Sequence, residues 1–178
     1  MAKPAPMDVF LLPGEFFVGD EGYQIRTILG SCVSITLWHP AARVGGMSHF
    51  VLPTRGTGVL GNPADLDGHY GDEALALMMN ELKALGVAPT QCQAKVFGGG
   101  HMFPGRVKMG PDHVGMRNGE AALAMLSKVG IPVLGECLYG YGHRQIIFDI
   151  SKGDVWSRQV KPSLMEQAAE AEAQRWMT

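Results

Sequence analysis

The chain has few cysteines, and no two of them lie close together in the sequence. Cys32, Cys92 and Cys137 are the only cysteines in 178 residues, and no C-x-x-C pair is present. An odd number of widely separated cysteines argues against a disulfide framework and against a structural zinc site. The sequence therefore favours a reduced chain in which one thiol can have a special role.

Clusters of basic residues and long apolar runs are also missing. The net charge is −2, and no block of Lys or Arg occurs, which argues against nucleic acid or an anionic membrane as the main partner. No apolar run reaches the roughly 18 residues that would span a bilayer, and no apolar signal core follows Lys3. The sequence predicts a cytoplasmic protein without membrane insertion.

Two further groups of motifs are absent. The run Gly98–Gly100 matches neither G-x-G-x-x-G nor G-x-x-x-x-G-K-[ST], so it predicts a close backbone turn near a site or a partner surface rather than a phosphate loop. No H-E-x-x-H spacing supports a metal hydrolase. That class stays open only through six scattered histidines: His39, His49, His69, His101, His113 and His143.

What is present is a globular composition with many turn-forming residues. Hydrophobic residues make up 46% of the chain, and its 24 glycines are typical of turn-rich β structure or of a site built from loops. The length favours one domain, predicted over residues 8–161, with a helical tail over 162–178. The order of elements predicts an α+β fold with a largely antiparallel or mixed sheet and two main helices.

The elements themselves follow from apolar periodicity and from Gly and Pro positions. Strands are predicted over 8–22 (broken at Pro13-Gly14), 24–38 (broken at Gly30-Ser31), 43–52, 94–97, 133–139, 145–150 and 154–160. Helices are predicted from Asp72 to Gly86, from near Asn118 to Val129 and, from the S-x-x-E spacing of Ser163 and Glu166, up to Trp176.

The hairpin around residues 39–42 carries the most specific chemical pattern. A four-residue loop there would pair Trp38 with Arg43, and the same register places Cys32 opposite His49. Directly opposed Cβ atoms in an antiparallel pair lie roughly 4.5–5.5 Å apart. A nearby imidazole can take the proton of a thiol and lower the thiol pKa, which is the minimum for a cysteine nucleophile. The alternative is that Cys32 is a core residue and His49 a structural one.

Five blocks, in order, resemble the CheD family of chemoreceptor glutamine deamidases. These blocks are Leu29–Val33, Gly45–Pro53, Ala94–Phe103, Val114–Asn118 and Arg144–Gly153. They span about residues 9–160, and the order of five motifs is far more specific than a single G-S-C triplet. The resemblance implies a single-domain, layered α/β/β sandwich.

The resemblance also implies which residues form the site. Cys32 matches the family's nucleophile and His49 its base, and an upstream threonine completes the catalytic set. Thr27 is the nearest such threonine, although the family's T-x-G-L-G-S-C pattern places it one residue farther from the cysteine. Thr27 therefore also fits a simple β-branched strand residue. Substrate or partner contacts are expected at Gly30, Ser31, Gly98, Gly99, Met102 and Phe103, with core packing as the alternative for the last two.

The implied activity is deamidation of glutamines on the cytoplasmic helices of methyl-accepting chemotaxis receptors. A thioester on Cys32 would form with loss of ammonia, and water would hydrolyse it to glutamate without any metal or organic cofactor. The same chemistry could hydrolyse a glutamate methyl ester. The alternative function is that of a regulatory binding partner of a CheC-type phosphatase.

Overall fold

The computed structural model describes residues 2–56, 62–102 and 110–161, together with Ser163, Glu172 and Arg175. Its strands and α-helices, in chain order, are β1 (Met7–Phe10), β2 (Phe16–Asp20), β3 (Tyr23–Leu29), β4 (Val33–His39), β5 (Val44–Ser48), α1 (Gly71–Ala84), β6 (Gln93–Gly98), α2 (Val114–Lys128), β7 (Val133–Leu138), β8 (His143–Asp149) and β9 (Asp154–Val160). Two short 3₁₀ turns, Pro63–Asp65 and Pro89–Gln91, lie on either side of α1.

The strands form two mixed sheets. One has the order β1-β3-β8-β9 and the other the order β2-β5-β4-β6-β7. The pairs β1–β3 and β6–β7 are parallel, and the other pairs are antiparallel. With two main helices, this arrangement confirms the predicted α+β sandwich.

The layers are helices, five-stranded sheet and four-stranded sheet. Val33, Ile35 and Leu37 of β4 pack in one core cluster with residues of both helices. A second cluster lies between the sheets and joins residues of β3 and β8 to Met47 and Phe97 of the five-stranded sheet. Strand β4 is therefore covered on both faces, and even Ser34 and Thr36 are buried.

The hairpin between β4 and β5 has a different register from the predicted one. His39 pairs with Val44 and Trp38 with Gly45, so the loop is residues 40–43. Arg43 adopts a positive φ of 50°, and its N–H donates to the carbonyl of His39 at 2.9 Å. The predicted pairing of Cys32 with His49 is therefore wrong, because the loop lies one residue farther along the chain.

The second helix begins earlier than the sequence predicts. It starts at Val114 rather than near Asn118, and the Nδ1 of His113 accepts a hydrogen bond from the N–H of Gly115 at 3.1 Å. Histidine is not among the preferred N-cap residues, so no clear signal for a helix start precedes Val114.

Most of the predicted tail over 162–178 lies outside the described residues. Among the residues that are described, no helix has the length and apolar character needed to cross a membrane.

Candidate active site

Cys32 lies at the edge of the space between the two sheets. The turn Gly30–Ser31 follows β3, and Cys32 directly precedes β4, where it packs partly buried against the cluster between the sheets. Burial raises the pKa of the Cys32 thiol, and the backbone amide of the same residue offsets only part of that rise. The lowered thiol pKa expected from the sequence is therefore wrong for the free protein.

His49 and Thr27 are brought together by the packing of the two sheets. The Nδ1 of His49 lies 2.7 Å from the Oγ1 of Thr27, and the Thr27 hydroxyl donates to the carbonyl of Leu11 at 2.8 Å. A hydroxyl has one proton to donate, so Thr27 must accept its second bond from an Nδ1–H of His49. The arrangement therefore selects the tautomer in which the Nε2 of His49 is free to accept a proton.

The imidazole of His49 is held neutral. The residue is 3% exposed, and burial lowers its pKa from 6.5 to about 4, an effect that the backbone carbonyl of Leu11 and the carboxylate of Glu15 oppose only partly. The backbone is fixed on both sides, since the His49 N–H donates to the carbonyl of Glu15 and its own carbonyl accepts from the N–H of Gly14. At neutral pH the ring is thus a fixed proton acceptor.

Cys32 and His49 share one face of the sheet but are not directly opposed. The last bridge of the pair joins Val33 to Phe50, and the same register sets Ser34 across from His49. Cys32 and His49 are then diagonal neighbours. The Cβ atoms of such neighbours lie roughly 7–8 Å apart or somewhat less. No hydrogen bond joins these two side chains in the part of the chain that the structure describes.

The predicted contact residues Gly98 and Gly99, together with Gly100, pack against the turn that precedes Cys32. The N–H of Gly99 donates to the carbonyl of Cys32 at 2.9 Å, and the N–H of Gly100 donates to the carbonyl of Gly30 at 2.8 Å. Gly98 has a φ of 113°, and a Cβ there would lie 2.2 Å from the carbonyl oxygen of Cys32. Only glycine permits this approach at residue 98.

One more of the expected contact residues, Met102, lies beside the same turn. Met102 covers Gly30, because a Cβ on Gly30 would lie 3.1 Å from the Met102 sulfur. The amides of Ser31 and Cys32 donate to no backbone acceptor within the described residues. Phe103 lies outside the described residues.

Three polar side chains near the site are not among the residues predicted to form the deamidase site. Asn118 donates to the carbonyls of Ser31 and Val51, Arg144 donates to the carbonyls of Gly98 and Tyr139, and His69 pairs with Asp67. Asn118 and Arg144 lie in two of the blocks that resemble the family. An Asn in line with the apolar residues of a predicted helix is a signal for a buried polar contact.

The two remaining cysteines differ in their exposure to solvent. Cys92 is buried in the core on the helix side, and burial raises its pKa to about 11. Cys137, predicted to lie in an apolar strand, is exposed on the edge strand β7. Within the described ranges, no group of three or more His, Cys, Asp or Glu side chains has a geometry that could hold a metal ion.

The sequence is similar to a known family and to named relatives. The family model for CheD, described as CheD chemotactic sensory transduction, matches residues 51–159. A relative named "Probable chemoreceptor glutamine deamidase CheD 2" from Albidiferax ferrireducens is 63% identical over 161 residues, which cover 90% of this chain and 91% of the relative.

More distant relatives have the same name. One CheD 1 from Chromobacterium violaceum is 42% identical over 171 residues, covering 94% of this chain and 85% of the relative. A CheD from Pseudomonas syringae pv. syringae is 40% identical over 169 residues, covering 94% of this chain and 93% of the relative. The match to the family model begins after Cys32 and His49, whereas these relatives align with most of the chain. The chain belongs to the CheD family.

Proposed function

We propose that this chain is a protein-glutamine deamidase that acts on chemoreceptors, with Cys32 as nucleophile, His49 as base and Thr27 as the group that orients the base. The names of its relatives support the activity and the substrate class. One observation carries the assignment of residues. The bond between Thr27 and His49 leaves the Nε2 of a neutral imidazole as a proton acceptor on the face that carries Cys32.

The protonation states favour a general-base mechanism over a preformed ion pair. Burial raises the pKa of Cys32 and lowers that of His49 to about 4, so both groups are uncharged at neutral pH. The proton then moves from Sγ to Nε2 as the sulfur attacks the substrate. A small rotation of the Cys32 side chain, or closure around the substrate, shortens the diagonal distance, as is common between free and substrate-bound sites.

The reaction is then a two-step acyl transfer. The Cys32 sulfur bonds to the glutamine side-chain carbon, and the resulting oxyanion accepts hydrogen bonds from the amides near Ser31 and Cys32. The C–N bond breaks, and the proton on Nε2 of His49 passes to the leaving nitrogen, which departs as ammonia. Water gives a proton to Nε2 and attacks the thioester. The C–S bond breaks, the sulfur regains the proton, and glutamate is released.

The position of Cys32 suits a substrate presented by another protein. The thiol lies at the edge of the sandwich, next to a turn covered by Met102 and the glycine run. A glutamine that projects from a receptor helix could reach this edge without unfolding, and Met102 would contact the helix surface. The amides of Ser31 and Cys32 are then close to the substrate carbonyl.

The experiment is to incubate a receptor cytoplasmic fragment with the purified protein and measure both ammonia and the conversion of glutamine to glutamate by peptide mass spectrometry. We expect the wild type and the control Cys137→Ser to convert the receptor, and Cys32→Ala to leave it unchanged. Wild-type activity in Cys32→Ala would refute the mechanism. Receptor binding by the wild type without any ammonia release would refute the enzymatic function and favour a binding role with a CheC-type phosphatase.

A further inference from the structure

The paired strands β4 and β5 end beside the two proposed catalytic residues, Cys32 and His49. The N–H groups of Val33 and Phe50 exchange hydrogen bonds with each other's carbonyls at 3.1 and 3.0 Å. Beyond this bridge, the same register would pair Ser31 with Leu52, but the N–H of Leu52 donates to the carbonyl of His69 instead. The ladder therefore does not fix the turn before Cys32 against the segment after His49.

One side chain takes the place of the missing ladder bonds. The Nδ2 of Asn118 donates to the carbonyl of Ser31 at 3.0 Å and to the carbonyl of Val51 at 2.8 Å. Ser31 directly precedes Cys32, and Val51 follows His49 by two residues. Because carbonyl oxygens only accept, both contacts require the NH₂ group of the amide, which fixes its orientation.

The helix that carries this amide is itself rigidly held. Asn118 is fully buried in α2, and two other buried residues of the same helix, Ala122 and Leu126, belong to the core on the helix side. The N-terminus of α2 is capped by His113. The backbone that carries the amide is therefore held in place against the five-stranded sheet.

We propose that Asn118 is a positioning residue, which sets the separation of Cys32 and His49 by tying the turn before Cys32 to the segment after His49. This inference rests on the proposed function. The Oδ1 of Asn118 is buried and has no hydrogen-bond partner among the described residues. A buried unpaired acceptor destabilises a fold, so the contribution of this side chain lies in its two donated bonds.

The first test is Asn118→Leu, which keeps a similar volume and removes both donors. Ammonia release from the receptor fragment should show a kcat lower by about 100-fold with a nearly unchanged KM, because a displacement of about 1 Å between reacting groups can have such an effect. The control is Leu126→Ala, a cavity on the same helix away from the site, which should lower Tm at least as much and retain kcat.

A milder variant keeps the test valid if Asn118→Leu does not fold. Asn118→Ser keeps one short donor and should fall between the wild type and Asn118→Leu in kcat. If both Asn118 variants lose no more kcat than Leu126→Ala, the positioning role is wrong and the amide is only structural.

A second readout does not depend on the receptor. The rate of Cys32 alkylation at pH 7 should fall in His49→Ala, and this dependence on His49 should largely disappear in the Asn118→Leu background. If His49→Ala has the same effect in both backgrounds, Asn118 does not position the pair. A wild type that releases no ammonia would refute the proposed function, whereas this double-mutant cycle would still decide the role of Asn118.

Discussion

Replacing Thr27 with valine removes one hydroxyl and almost no volume. Thr27 is 2% exposed, and its hydroxyl connects two buried groups, the carbonyl of Leu11 and the Nδ1–H of His49. In Thr27→Val both groups lose their partner. The imidazole can then adopt the other tautomer, in which Nε2 carries the proton and can no longer accept one from Cys32.

The size of the effect follows from these two bonds. Each buried group left unpaired costs about 1–3 kcal/mol, so we expect the free energy of unfolding to fall by about 3 kcal/mol. The bond from Nδ1–H favours the active tautomer by about 1–1.5 kcal/mol, which is roughly a tenfold change in its population. Greater freedom of the ring adds to this loss, and we expect kcat/KM to fall between about tenfold and 100-fold.

The assay compares ammonia release and urea denaturation for three variants. Thr27→Ser keeps the hydroxyl and should retain most of the activity. Thr36→Val is the matched control, because Thr36 is equally buried and its hydroxyl lies 3.4 Å from the carbonyl of Lys95, with no imidazole contact. Full activity in Thr27→Val, or an equal loss in Thr36→Val, would refute the role of Thr27 in orienting the base.

Three other predictions follow from the charges and the exposure of particular groups. Burial lowers the pKa of His49 from 6.5 to about 4, so protonation favours the unfolded chain. In urea titrations the wild type should therefore lose about 3 kcal/mol of stability, relative to His49→Gln, as the pH falls from 6.5 to 4. Equal pH profiles of the two proteins would contradict this. Iodoacetamide should label the exposed Cys137 before Cys32, whose pKa is raised by burial, and peptide mapping that finds Cys32 first would contradict the structure. Glu73→Gln should destabilise the fold by about 2 kcal/mol, because the Glu73 carboxylate accepts two hydrogen bonds from Arg55. The control is Glu81→Gln, at an exposed position of the same helix, and equal effects of the two variants in urea denaturation would refute the prediction.

The hairpin of β4 and β5 separates what local sequence can and cannot predict. A four-residue loop was correctly expected, but its position depends on Arg43 adopting a left-handed conformation, which nothing in the local sequence requires. The resulting shift changes the partner of every residue by two positions. Side chains alternate with a period of two, so Cys32 and His49 still share a face, as predicted.

The sequence by itself determined the order of the elements, the shared face of Cys32 and His49, and the two residues proposed to react. Periodicity and turn residues are local properties, and the order of motifs can be read directly from the sequence. The tertiary structure decided that Thr27 contacts His49, that Asn118 joins the turn before Cys32 to the segment after His49, and that burial keeps Cys32 and His49 uncharged. These features depend on contacts between residues far apart in the chain, and on the exclusion of water between two packed sheets, which no local pattern encodes.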